Sequence, residues 1–557
     1  MAASSHIAEA QRNDVVLIGG GVGSLTAAAL LAHSGRKVTV LEHNHVAGGC
    51  ASSFYRQGYW FESGATTLVG LDPGMPLRHV LDTTGIDFPV IPLETPMQVH
   101  LADGTVVTRY QDLDRWIDEA ERVFGTEGKQ RAFWEFCYDI SRFVWDTSLE
   151  FRAFPPSSPG DIIDSLPRVR PRQILKARFA FHTMTALLKR FGLFDNRRFV
   201  EFVDEQLMIT AQNTSDEVNV LFGATALCYT NYTNYYVPGG LVRMVKAFED
   251  YIGDERHNGS QVLCRTPVTG VTRVNKSGSA KDSGRFRVTT EGKGDFLADC
   301  VISGVPIQNT IELIDDPALT RRHRDRALPS HRLWSAFTMG LVFRESARAA
   351  ANANANANAN ANANANANAN ANANANAKDS APVLHHQIHL TADEILPGIG
   401  ARSIFLSLSH PDDHERGPAG HTIASISTHV PDPAAHDTLD VAGLEAAIIQ
   451  TLVRRGFIRD EDSIVYRHSS TPRTWRQWTR RKFGFVGGHP QFRSIKPWQM
   501  LDARLASGLY QCGDTAYPGQ GIPGACLSGV VAHHKLSRDF PEAPEATGAT
   551  GSAVKTK

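Results

Sequence analysis

Residues 14–24, DVVLIGGGVGS, decide the fold. Val15-Val16-Leu17-Ile18 is a short apolar run ending in glycines, the pattern of a strand buried on both faces of a parallel sheet. An Ala/Leu-rich segment follows to about His33, with Gly35 placed to cap a helix. Residues 37–41 read as a second strand, which ends at Glu42. Strand, glycine turn, helix, strand is one βαβ unit. Within it, Gly19-x-Gly21-x-x-Ser24 has the spacing of a dinucleotide fingerprint. The first glycine permits the tight turn, the second lets backbone approach a pyrophosphate, and helix N-terminal N–H groups meet its charge. The third position usually holds Gly or Ala. Ser24 departs from that but is small, and Gly23 offers a further close approach. Glu42 stands about 20 residues beyond the turn, where an acid accepts ribose hydroxyls and disfavours the 2′-phosphate of NADP.

Composition sets the outer limits. A chain of 557 residues exceeds one ordinary core and predicts two or more domains. With 42% hydrophobic and 21% charged residues it reads as a soluble globular protein. Lys+Arg (57) and Asp+Glu (58) nearly cancel, so no global field draws it to nucleic acid. The seven cysteines are scattered without a C-x-x-C, which suggests neither a disulfide framework nor a zinc site and fits a reducing compartment. The N-terminus lacks the apolar core of a secretory signal and leaves little room for a transit peptide. No run approaches the roughly 20 apolar residues of a spanning helix.

Residues 71–239 turn to aromatic-rich helical stretches, for example 133–149 and 173–194, and read as part of an inserted α+β substrate domain. Residues 262–274 and 285–303 read as strands returning to the nucleotide domain. The expected division gives 1–70, 240–310 and 501–542 to the nucleotide-binding part, and 71–239 and 311–500 to the substrate part. Strict Ala-Asn alternation over 351–377 offers little to bury and cannot offset its ordering entropy. It is expected to be a disordered surface insertion, as is the tail 543–557.

Gly48-Gly49 follow Glu42, and then comes Phe54-x-x-x-Gly58-Tyr59-x-Phe61-Glu62-Ser63-Gly64. With these residues the run from 14 to 70 resembles the flavin-binding N-terminus of the phytoene desaturase-type flavoproteins, which include carotenoid isomerase and retinol saturase. The resemblance implies FAD and a Rossmann-type FAD-binding domain of the glutathione-reductase-like kind. In that family the second glycine pair and an Asp-x-Gly element approach the FAD phosphates and ribityl chain. Glu62 replaces that Asp here, so the role carries over to Gly64 more readily than to Glu62.

Near the other end, 509–514 (LYQCGD) reads as a strand closing on Gly513-Asp514, followed by 517–524 (YPGQGIPG) and a small-residue helix from Ala525. This resembles the family's C-terminal signature. The resemblance implies that Asp514 accepts from ribityl hydroxyls. It also implies that Gly521, Ile522 and Pro523 bring backbone and a helix N-terminus to the flavin N1/O2 edge. In Thr266-Pro267-Val268, read as part of a strand, Val268 matches a family valine whose backbone meets the adenine. Gly484-x-x-Gly487-Gly488 has neither a strand before it nor an acid beyond it. No nicotinamide domain is therefore expected, and electrons come from or go to the substrate, a quinone or oxygen.

Residues 471–491 (TPRTWRQWTRRKFGFVGGHPQ) and 62–71 (ESGATTLVGL) resemble carotenoid 3,4-desaturase-like members. A hydrophobic polyene substrate is thereby implied, but desaturases, isomerases and saturases share these signatures. Desaturation is the leading expectation: a hydride equivalent and a proton leave a CH–CH unit beside a conjugated polyene, which needs alignment more than acid–base residues. Redox-neutral cis–trans isomerisation with reduced FAD is second, saturation of a retinol-like polyene third, and an oxidase of another substrate such as an amine fourth. No catalytic residue or metal ligand is assigned. Glu62 is a remote candidate base, with a structural role in the phosphate loop expected instead.

A carotenoid enzyme must meet lipid. The stretch 166–194 carries Arg168, Arg170, Arg172, Lys176, Arg178, Lys189 and Arg190, with no acid between Asp164 and Asp195. Ile174, Leu175, Phe179, Phe181, Met184, Leu187 and Leu188 interleave with them. That suits an interfacial helix at anionic headgroups and, equally, an amphipathic domain helix with a solvated basic face. Tyr229, Tyr232, Tyr235 and Tyr236 read either as the lining of a polyene tunnel or as ordinary core. The expected location is the cytoplasm at a membrane surface, or the plastid in an algal or plant cell.

Overall fold

The first apolar run forms the strand Gln11–Ile18, starting a little earlier than expected. It pairs in parallel with Val38–Leu41 on one side and Asp295–Ser303 on the other. Gln261–Leu263 and Leu509–Gln511 extend the parallel sheet at its two sides. In this computed structural model residues 11–274, 285–344 and 382–541 are described; the Ala-Asn tract and the tail from 543 lie outside them. Val15, Val16 and Leu17 are fully buried, as a central parallel strand requires. The helix Val22–His33 joins the first two strands and buries every residue from Val22 to Ala32. It is apolar all round because helices Val242–Ile252 and Gly521–Asp539 pack on it from outside the sheet.

The strands expected over 262–274 and 285–303 are present but interrupted. Arg265 takes a left-handed φ of 54° and Pro267 follows it, so the ladder restarts only at Val268–Arg273. Gly292 and Gly294 turn the chain between the antiparallel strands Phe286–Thr290 and Asp295–Ser303.

A second sheet has seven strands in the order Ile464–Ser470, Trp334–Arg344, His421–Pro431, Ser403–Leu408, His385–His389, Met97–His100 and Val106–Arg109. Neighbours are antiparallel except His385–His389 beside Met97–His100. Two of these strands thus fall inside 71–239, a stretch read as dominantly helical. Period-two alternation gives the sheet two unlike faces. Phe337, Met339, Ile404, Leu406 and Ile426 pack with Leu444, Ile448 and Leu452 of the helix Val441–Arg454. Ala336, Thr338, Ser403, Phe405, Ser427 and His429 wall a cavity instead.

Helices Leu113–Phe124, Gln130–Glu150, Arg197–Thr210 and Val220–Leu227 form a further layer around Trp116, Trp134, Phe199 and Phe202. The helix expected over 173–194 is not continuous. It is divided into Pro171–Ala177, a 3-10 turn Arg178–Phe181, and Met184–Arg190. His182 is extended, and the Thr183 side chain accepts from Ala186 N, so a new helix is capped where the old one would have run on.

Candidate functional site

Two glycine loops meet at the N-terminus of the helix Val22–His33. Gly19 turns the chain at φ 83° and donates its N–H to Leu41 O at 2.8 Å. Gly48 N donates to Gly20 O at 2.7 Å and Gly21 bridges Gly48, so the two loops run side by side. Glu42 supports them: Oε2 accepts from Gly20 N and Oε1 from Asn44 N, each at 2.7 Å. Across the first helical turn lies Gly513. A Cβ on Gly23 would come within 2.7 Å of Gly513 N, so close approach keeps that position glycine. Ser24 is buried, with Oγ 3.7 Å from Cys512 Sγ. It fits because the facing residue is Gly304, where a Cβ would stand 1.8 Å from Ser24 Oγ.

Gly21 is different. Its φ of −68° is open to any residue, and no atom lies within 4 Å of where its Cβ would stand. Nothing in the chain itself requires glycine there. The space in front of it belongs to a cavity of about 740 Å³, a size typical of sites that enclose a small ligand. A dinucleotide needs such a cradle, and the residues present fit it. Gly21, Gly23, Gly48, Gly49, Gly64, Gly513, Asp514, Gly521, Ile522 and Pro523 all line the cavity. Gly19, Ser24 and Glu42 stand behind the lining. Val268 is also outside it, two residues beyond Thr266, whose N–H donates to Glu42 O at 2.8 Å.

Glu62 is likewise absent from the lining. Its buried carboxylate accepts from Ser53 Oγ at 2.6 Å and Leu241 N at 3.2 Å, and faces Arg416 at 3.5 Å. Burial raises its pKa, with Arg416 opposing. Glu62 therefore ties its hairpin to the start of the helix Val242–Ile252, not to the phosphate loop.

Sequence reasoning passed over Arg481. It lies within 471–491, where no spacing marks it. The fold sets it in the cavity wall between Cys50 and Asp514, with Nη2 2.8 Å from Asp514 Oδ2. Burial works against its charge, but Asp514 and Cys50 outweigh that and hold its pKa above the usual value. Among the described residues, Arg481 and Asp514 are the only Lys, Arg, Asp or Glu in the lining.

Besides the glycines the cavity is lined by apolar side chains, among them Phe143, Phe151, Phe154, Leu221 and Phe222, and by the sheet face. Tyr229 and Tyr232 join this wall, whereas Tyr235 and Tyr236 form a short strand against Ile91–Pro92. His429 is the one imidazole in the lining. Burial lowers its pKa to about 4, so it is neutral near pH 7.

The same cavity also reaches Val169, Ile174, Ala177, Pro497 and Met500. These adjoin an exposed apolar patch. Of twelve exposed large apolar side chains among the described residues, seven lie within 162–181: Ile162, Ile163, Leu166, Val169, Ile174, Leu175 and Phe181. The ring of Trp498 stands 5.2 Å from that of Phe181. The basic residues here are less free than the sequence implied. Arg168 pairs with Asp164 (3.2 Å), Arg170 with Glu150 (3.1 Å) and Lys176 with Asp139 (2.7 Å). Phe179, Met184, Leu187 and Leu188 are buried in the helical core. A single interfacial helix over 166–194 is therefore not formed, and most of its exposed large apolar side chains lie in its first part. Among the described residues no helix is long and apolar enough to cross a membrane.

The profile of the family described as flavin containing amine oxidoreductase matches residues 25–532. Prolycopene isomerase 2 (chloroplastic) of an Oncidium hybrid cultivar is 24% identical over 555 residues, covering 96% of this chain and 86% of that protein. A phytoene desaturase of Cercospora nicotianae is 35% identical over 127 residues, 22% of this chain and 20% of that protein. Among solved structures, an oxidoreductase from Methanosarcina mazei matches with a TM-score of 0.57 at 17% identity, covering 94% of this chain and 100% of that one.

Proposed function

Because the chain belongs to the flavin containing amine oxidoreductase family, with FAD as its cofactor, we propose that it dehydrogenates a carotenoid-type polyene drawn from a membrane surface. Gly21, Gly23, Gly48 and Gly49 then meet the dinucleotide phosphates, with Gly19 and Ser24 shaping the turn behind them, Glu42 serves the ribose, and Val268 the adenine side. Gly64, Gly513, Asp514, Gly521, Ile522 and Pro523 hold the flavin half. The observation that carries the reading is continuity: one cavity is lined by the glycine loops, by an aromatic wall and by Val169 and Ile174 of the exposed apolar patch.

Bound FAD supplies reversible two-electron chemistry. The chain's own part is placement. The wall of Phe143, Phe151, Phe154 and Phe222 excludes water and holds an extended apolar chain against the sheet face. Among the described residues no charged side chain lines that stretch, and His429 stays neutral, so an uncharged substrate displaces little charge-bound water there. Dehydrogenation releases a hydride equivalent and a proton from adjacent carbons, and conjugation spreads the developing charge. No strong base is demanded, and none lines this stretch.

The patch at 162–181 supports peripheral membrane contact led by apolar insertion, because acids already pair with three of its basic residues. The Oncidium relative, similar along almost the whole chain, bears the name of an isomerase, which favours redox-neutral cis–trans isomerisation as the second reading. Oxidant dependence separates the two. Holoprotein in polyene-loaded liposomes should form a red-shifted product in step with added quinone if it dehydrogenates. An equal yield without oxidant, and only after pre-reduction, would reject dehydrogenation in favour of isomerisation.

A further inference from the structure

We propose that Arg481 is the counter-ion for the pyrophosphate of the bound dinucleotide, the side chain that makes this cavity prefer FAD over an uncharged flavin. This rests on reading the cavity as the FAD site. A pyrophosphate brings two negative charges, and the lining offers one cation, Arg481. The helix N-terminus behind Gly21 contributes only about half a charge.

Position supports the assignment. Arg481 lies beside Cys50, which directly follows Gly48-Gly49. The backbone at Gly49 runs along Gly21, where its Cβ would stand 3.7 Å from Gly21 Cα, next to the open space reserved at Gly21. On its other side Arg481 is gripped by Asp514 through Nη2. Nη1 has no hydrogen-bond partner, although it is buried. A guanidinium fork held on one edge by a carboxylate keeps its other edge for a second anion.

The loop is shaped to aim it. Arg480 closes the helix Pro472–Thr479 in a left-handed conformation and points to solvent, so the next residue turns inward. Gly488 then packs so tightly on Asp514 that a Cβ would stand 2.3 Å from Asp514 O. The 481–488 loop is thus held on Asp514 twice, by the close approach of Gly488 and by the ion pair of Arg481.

The test titrates apoprotein with FAD and with riboflavin, which lacks phosphate, following flavin fluorescence. Arg481→Met should weaken FAD by about 10- to 100-fold, the worth of a charge-assisted contact, and leave riboflavin within about threefold. Arg481→Lys should fall between. Because Arg481→Met also leaves Asp514 without its partner, the comparison is repeated on Asp514→Asn, where the same selective loss is expected. Should Arg481→Met not fold, the comparison is made on Arg481→Lys, where a smaller but still FAD-selective loss is expected. Unchanged FAD affinity, or equal loss of FAD and riboflavin, overturns the proposal. Wild-type protein that binds no FAD would overturn the site reading beneath it.

Discussion

Gly21→Ala separates what the protein needs from what the ligand needs. The new methyl meets no atom of the chain within 4 Å, and the backbone there already suits alanine. Less freedom in the unfolded chain gains about 0.4–1 kcal/mol, and a poorer helix N-cap loses a comparable amount, so apoprotein stability should move by less than about 1 kcal/mol. The methyl does intrude on space assigned to the dinucleotide phosphates. Overpacking of a filled site costs about 1–3 kcal/mol, which weakens FAD binding about 5- to 150-fold. Gly23→Ala is the contrast: its methyl would press on Gly513 N at 2.7 Å and Ala525 O at 3.0 Å. That variant should melt lower even without FAD. The assay is a pair of curves for each protein, an apoprotein thermal melt and an FAD titration. Wild-type FAD affinity in Gly21→Ala would refute the path of the phosphates past Gly21.

Four further outcomes are expected. Burial lowers the pKa of His100, His385, His389, His429, His468, His489 and His533 to about 4. Histidine in the unfolded chain protonates at about 6.5, so the unfolded state binds more protons between the two values and stability is lost as pH drops from about 6.5 towards 4, by up to about 1.4 kcal/mol per histidine per pH unit; a melting temperature constant from pH 6.5 to 4.5 would contradict this. Glu62→Ala, by stranding buried Arg416, should cost about 3 kcal/mol, while Glu62→Gln at wild-type stability but without turnover would revive Glu62 as a base. Replacing Ile174, Leu175 and Phe181 by Ser should cut liposome co-sedimentation at least tenfold at low and high salt; release of wild-type protein by salt alone would show that charge dominates instead. Deleting 351–377 should leave folding and FAD content intact, and loss of flavin from the deletion protein would show that the tract matters.

The nucleotide end of the cavity was legible because it is written locally. A strand, a glycine turn and a helix N-terminus sit in one short segment, and Gly513-Asp514 repeats the logic near the other end. The fold then brings Ser24 and Cys512 within 3.7 Å, although they lie 488 positions apart. The second sheet was less legible. Met97–His100 and Val106–Arg109 are short, and their turn at Asp103-Gly104 was outweighed by the aromatic helices around it. The partial neutralisation of the basic charge at 166–194 was not legible, because Glu150 and Asp139, which pair with it, come from another helix. Arg481 was invisible for a similar reason. Its meaning comes from Cys50 and Asp514, and neither is near it in sequence.

If FAD and a polyene share one cavity, the flavin must respond when the polyene enters. The direct measurement is the flavin absorbance of anaerobic holoprotein mixed with polyene-bearing liposomes. The oxidised flavin band should be lost in step with a red-shifted polyene product. An unperturbed flavin spectrum at saturating polyene would contradict it, because a polyene lying along the aromatic wall cannot leave the flavin end of the same cavity unaffected.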